Sequence, residues 1–141
     1  MNIKNLKVID LNLHSDDRGD LFEVIHNYDI DKFGQVYIVQ NRVKGIIRAF
    51  HKHRKLWDYF CILHGSAKFV FEKDGQIDTV VLTARKPKLI VVPAGVYHGW
   101  MSLEDDTILM STASELYNKE NPDEERISYE SFGKVWDITI K

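Results

Sequence analysis

The sequence predicts an all-β fold: an antiparallel sandwich or barrel, of jelly-roll type, with little helix. Short apolar runs rich in β-branched and aromatic residues recur along the chain, and tight-turn signals separate them. No segment holds a 3.6-residue apolar stripe for three turns. At 141 residues the chain suits one hydrophobic core, and residues 1–141 read as a single domain without repeat, low-complexity tract or linker.

In order, the runs are VYIV (36–39), FCIL (60–63), AKFVFE (67–72), DTVVL (78–82), KLIVV (88–92) and TILM (107–110). The intervening turn signals are HGS (64–66), KDG (73–75), RKP (85–87) and PAG (93–95). Lys73 to Gln76 reads as a hairpin turn, because Gly75 takes positive φ at no cost after Asp74. AKFVFE alternates, with Phe69 and Phe71 on one face and Lys68, Val70 and Glu72 on the other. Tyr117 to Arg126 reads as a charged loop leaving the barrel before a last strand at VWDITI (135–140).

Composition removes several classes. Hydrophobic residues are 44% and charged residues 28%, too apolar for disorder. Nineteen Lys and Arg against 21 Asp and Glu give a formal charge of −2, without the electrostatic footprint of a nucleic-acid binder. Cys61 is the single cysteine, so no intrachain disulfide forms, and it reads as a small buried apolar residue. Neither a signal-peptide core nor a membrane-length apolar run is found, so the expectation is a cytoplasmic protein with no membrane partner.

The chemistry concentrates in GIIRAFHKHRKLWDYFCILHG (45–65) and PAGVYHGW (93–100). His51 and His53, two apart on an expected strand, point to one face, about 7 Å apart along the backbone. Arg48 is an odd distance from His51 and faces away unless a bulge re-aims it. His98 arrives after the Pro-Ala-Gly turn, where three histidines can converge inside a small barrel. The plainer reading makes HKH a solvated pair among Lys52, Arg54 and Lys55, and His98 a turn cap. His14, His26 and His64 read as surface or loop residues. Trp57, Trp100 and Trp136 read as core, with Trp100 beside His98 also placed to face a ligand.

Gly45, His51, His53, Asp58 and Gly65 stand at the spacing of the first cupin motif, with Asp58 at its usual Glu. Pro93, Gly95 and His98 match the second, with Pro87 at its leading Gly. Within the cupins the chain resembles the dTDP-4-dehydrorhamnose 3,5-epimerase family. The pieces that carry the likeness are DDRGDLFEV (16–24), GIIRAFH (45–51), VPAGVYHGW (92–100), Tyr117 and Trp136. The resemblance implies epimerisation at C3, or at C3 and C5, of a nucleotide-linked 4-keto-6-deoxyhexose by proton abstraction beside the ketone, with no cofactor. It places His51 at the base and Arg48 at the substrate- or phosphate-binding arginine. Arg18 and Glu23 fall on nucleotide contacts reaching in from the other subunit of a homodimer. His98, Trp100 and Tyr117 fall in the substrate pocket.

Four positions depart from the pattern. Met110 stands where the family has its tyrosine acid, and Tyr59, Tyr97 and Tyr117 are the substitutes on offer. Asp58 takes the place of the pocket lysine. The carboxylate that orients the base falls near Glu130 or Ser131, and only Glu130 has the chemistry. Leu21 replaces an aromatic. The pair His51 and His53, with ASELY (113–117), also resembles the dTDP-sugar 3,4-ketoisomerases. Two further alternatives stay open. One is a metal-binding cupin using His51, His53, Asp58 and His98 for Fe, Mn, Ni or Zn. The other is a sugar-nucleotide binder without catalysis, suggested by Met110.

Overall fold

Residue alternation along short strands stacks two sheets face to face in this chain. The structure, a computed structural model, describes residues 1–138. Its strands are β1 (Lys7–Asp10), β2 (His14–Asp16), β3 (Gly19–Leu21), β4 (Gln35–Asn41), β5 (Ile47–Lys52) and β6 (Asp58–His64), followed by β7 (Ser66–Lys73), β8 (Gln76–Thr83), β9 (Lys88–Val92), β10 (Tyr97–Ser102), β11 (Thr107–Ala113) and β12 (Glu125–Arg126). One sheet runs β1-β9-β6-β11-β4 and the other β12-β5-β10-β7-β8, while β2 and β3 form a separate ribbon. The all-β expectation holds, and all six apolar runs lie in strands: β4, β6, β7, β8, β9 and β11.

The inward faces meet in one core. Phe60, Ile62, Ile90 and Leu109 of the first sheet pack with Phe69, Phe71, Leu82 and Trp100 of the second. Each such side chain contributes about 1.5–3 kcal/mol by leaving water. The β7–β8 hairpin closes as expected: Lys73 pairs with Gln76 across two residues, Asp74 at φ 50 and Gly75 at φ 86. Two positive φ values in a two-residue loop match the right-handed twist of the strands.

The outer faces are covered unequally. Ile9, Leu11, Val24, Ile25 and Trp57 pack over Tyr59, Leu89 and Val91, closing half of the first sheet. On the other half Val36 and Ile38 of edge strand β4 remain 50% and 57% exposed. Over the second sheet, Trp136, Phe132 and Ile127 cover Phe50, Val70 and Met101. Val70 is therefore buried, although it shares a face with Lys68 and Glu72.

The expected last strand is not found over its described part. Residues 135–138 are turn and coil, and residues 139 and 140 lie outside the described residues. Bonds from Ser131 N–H to Ser128, Gly133 N–H to Glu130 and Asp137 N–H to Lys134 curl the chain instead. The Trp136 Nε1–H donates to the Tyr129 carbonyl at 2.9 Å as the indole is buried. Burial of one large aromatic outweighs the strand propensity around it. Trp136→Ala is expected to cost about 3 kcal/mol, seen as a lower urea midpoint.

Candidate active site

The site is built on an irregularity in β5. His98 of β10 pairs with His51, and Trp100 pairs with Arg48. Two steps along β10 thus oppose three along β5, a bulge that turns Arg48 to the side of His51. The bulge presses Ala49 against β10, where a Cβ on residue 99 would lie 2.3 Å from that of Ala49. Only glycine fits there. The result is a cavity of about 470 Å³ between the sheets, lined among others by Tyr37, Arg48, His51, His98, Trp100 and Glu124. An outer cavity of about 740 Å³ shares Tyr37, His53, Glu124 and Arg126 with it and extends to Tyr117.

The His51 Nδ1 lies 2.8 Å from Glu124 Oε1, and the Arg126 guanidinium pairs with Glu124 Oε2 at 3.1 Å. Burial would raise the Glu124 carboxyl, yet Arg126 and His51 hold it below its ordinary value. A carboxylate only accepts, so Nδ1 carries the proton and Nε2 keeps its lone pair. Burial first, then the proximity of His98, lowers the pKa of His51, so the ring rests neutral at pH 7. This is the state required of a general base.

Arg48 is braced from behind. Its Nε donates to Asn41 Oδ1 at 2.7 Å, and the fully buried Asn41 donates in turn to the Ile46 carbonyl at 3.1 Å. Tyr37 faces the same cavity from β4, opposite Ser111 in the register. Burial first, with the charge of Asp58, pushes its phenol up to about 12, so it is a proton donor at neutral pH. Met110 lies between the inward Leu109 and Ser111 and points outward, beside Ile38.

His53 and His98 form a third group with Asp58. His53 Nδ1 donates to the Asp123 carbonyl at 2.5 Å and His98 Nδ1 to that of Val96 at 3.0 Å. Their Nε2 atoms lie 3.0 and 3.3 Å from Asp58 Oδ2. Asp58 is 2% exposed. Burial would raise its carboxyl, but the two histidines hold it down at about 2. Asp58 Oδ2 makes no well-aligned hydrogen bond among the described residues. All three ligand atoms lie within 4.8 Å of one another. Two imidazoles with Nδ1–H held by carbonyls, converging with an orphaned carboxylate oxygen, fit a divalent metal. A proton on His53 meets the same need: burial would lower this histidine, but Asp58 raises it. His51, the fourth residue of the expected metal set, is not among the three whose ligand atoms converge.

The other expected residues fall as follows. Glu130 does not reach His51. It is exposed and accepts from the Tyr129 hydroxyl at 3.1 Å, because the chain after β12 passes over the outer face of the sheet. Glu124 occupies that place, one residue ahead of the short strand that pairs with β5. Arg18 pairs with Asp16 beside the β2–β3 turn, and Glu23 binds His26, so neither lines the His51 cavity. Tyr59 is buried on the outer face, and Tyr97 binds Glu125 at the rim. Tyr37 and Glu124 escaped the sequence reading. The alternation of Tyr37 and Val39 in VYIV was a usable signal for the first, and nothing local marked the second.

The chain matches, over residues 14–125, the polysaccharide biosynthesis C-terminal domain. It belongs to that family. The chain is 31% identical to a probable low-salt glycan biosynthesis epimerase of Haloferax volcanii, over 92% of this chain and 90% of that protein. It is 32% identical to a spore coat polysaccharide biosynthesis protein of Bacillus subtilis, over 99% of each. In fold it is similar to a 3'-monoepimerase of Streptomyces bikiniensis solved with dTDP-quinovose (TM-score 0.87, 19% identity, 100% of this chain and 79% of that one). It is also similar to a sugar 3,4-ketoisomerase of Thermoanaerobacterium thermosaccharolyticum solved with TDP (0.77, 24%, 92% and 93%). The fold expected from the cupin and epimerase motifs is the fold of these structures. For this member of the family, Gly99→Ala is expected to cost about 1–3 kcal/mol by forcing β5 from β10, read as a fall in thermal midpoint.

Proposed function

We propose that the chain epimerises C3, or C3 and C5, of a nucleotide-linked 4-keto-6-deoxyhexose. The observation that carries this reading is the neutral His51 ring, held by the Glu124 carboxylate, on one wall of a cavity whose opposite wall holds the Tyr37 phenol. The ketone acidifies the neighbouring C–H. His51 Nε2 takes that proton, the C–H electrons move into the carbonyl to give an enolate, and Glu124 stabilises the imidazolium. Arg48, braced by Asn41, supplies positive charge to the enolate oxygen or the diphosphate. Return of a proton from Tyr37 to the opposite face of the carbon inverts it. If the O3 proton passes to O4 and His51 returns its proton to C4 on the same face, the carbonyl re-forms at C3 and the product is the 3-keto isomer. Placement of base and phenol on opposite sheets favours inversion.

Two features support a homodimer. Arg18 and Glu23 stand away from this chain's own cavity, free to serve a partner's, and Val36 and Ile38 leave an apolar edge for a second copy. Among the described residues no helix is long and apolar enough to cross a membrane, and a nucleotide-sugar substrate favours a cytoplasmic setting.

Proton NMR with dTDP-4-keto-6-deoxyglucose in D2O tests the reading. Deuterium is expected to enter at C3 or C5, and to be lost with His51→Asn. Glu124→Gln should slow exchange by about 10²–10⁴-fold. Tyr37→Phe should retain exchange while losing inversion. No exchange with the dTDP, GDP or UDP sugar would defeat the proposal.

The orphaned Asp58 Oδ2 favours a second reading, in which His53, Asp58 and His98 hold a divalent metal. Such an ion would act as a Lewis acid toward a carbonyl oxygen. Elemental analysis of protein purified without chelator is expected to find about one metal per chain if this holds, falling to near zero in Asp58→Ala and persisting in His51→Asn. Metal-free protein would leave the three residues as a proton-bridged cluster.

A further inference from the structure

We infer that Asp123 is a positioning residue, whose carboxylate docks the strap carrying Glu124 and so fixes the ring tautomers of His51 and His53. The inference deepens the proposed function, since it concerns the same base.

Three successive backbone N–H groups converge on this one side chain. Arg54 N–H donates to Oδ1 at 2.7 Å, and Lys55 and Leu56 N–H donate to Oδ2, each at 2.9 Å. Charge-assisted bonds of this kind are about twice as strong as neutral ones. The Arg54 guanidinium, at 3.9 Å and largely exposed, adds little.

The docked turn directly follows His53, so one contact serves two rings. The Asp123 carbonyl takes His53 Nδ1 at 2.5 Å, and the next residue, Glu124, takes His51 Nδ1 at 2.8 Å. After Glu124 the strap is held by β12, with Glu125 against Lys52 and Arg126 against His51, by reciprocal backbone bonds between Phe50 and Ile127, and by the contacts of Glu125 with Lys52 and Tyr97. Before Glu124 no strand lies between Ala113 and Glu125, so the Asp123 carboxylate docks that side. Arg126 is itself mostly exposed and adds its charge to Glu124 rather than to the docking turn.

Nitrogen-15 NMR of the histidine rings at neutral pH tests the inference without substrate. The native protein should show His51 with Nδ1 protonated and Nε2 free, and Asp123→Ala should show a mixture of tautomers at His51. In the exchange assay Asp123→Ala should lower kcat about tenfold with KM changed less than about threefold, and should add less than about threefold in a Glu124→Gln background. Asp123→Asn, which keeps one acceptor oxygen, should recover part of both signals and serves where the alanine variant does not fold. An unchanged His51 tautomer in a folded Asp123 variant would overturn the inference, as would losses that multiply fully with Glu124→Gln. If no nucleotide sugar exchanges at all, the proposed activity fails while the ring spectra still decide the role of Asp123.

Discussion

Everything in the site rests on one extra residue in β5 where it pairs with β10. Without that bulge, strand alternation would put Arg48 and His51 on opposite faces. With it, a cation and a base three positions apart enter one cavity, facing His98 and Trp100. The bulge in turn needs Gly99, because Ala49 occupies the space any side chain there would take. The same strand receives β12 on its free edge, which carries Glu124 to His51.

Two histidine environments follow from this frame, and they differ for a simple reason. His51 has a carboxylate on Nδ1 and open cavity at Nε2, so its neutral form is complete and reactive. His53 has acceptors at both nitrogens, the Asp123 carbonyl and Asp58, so it is complete only when it carries a second proton or shares its lone pair with a cation. One member of the pair suits proton transfer, and the other suits a fixed charge. A buried carboxylate such as Asp58 is costly unless paired, and the two rings supply that compensation.

One relative of this chain is named as an epimerase, and structural neighbours include both a 3'-monoepimerase and a 3,4-ketoisomerase. Both chemistries begin with the same enolisation and part only at the return of the proton. The placement of the donor relative to the sugar ring therefore separates them, more than the identity of the base. Tyr37 reaches the cavity from the sheet opposite His51, whereas Met110, on the strand beside it, turns outward.

Local pattern by itself determined the strands built on the six apolar runs, the Asp74-Gly75 hairpin, and the gathering of His51 and His98 near one cavity. Each depends on alternation, turn chemistry or motif spacing within a few residues. It misjudged the C-terminal end, where Trp136 is buried by packing against Phe50 and Val70 from distant strands. It named Glu130 where Glu124 stands, because the partner of His51 is chosen by the register of β12 on β5, a contact across 73 positions. It left Arg48 facing either way, since a bulge is a property of a strand pair rather than of one strand. What the tertiary structure alone decided were these pairings between remote segments, whose energies depend on burial and register that no short window of sequence contains.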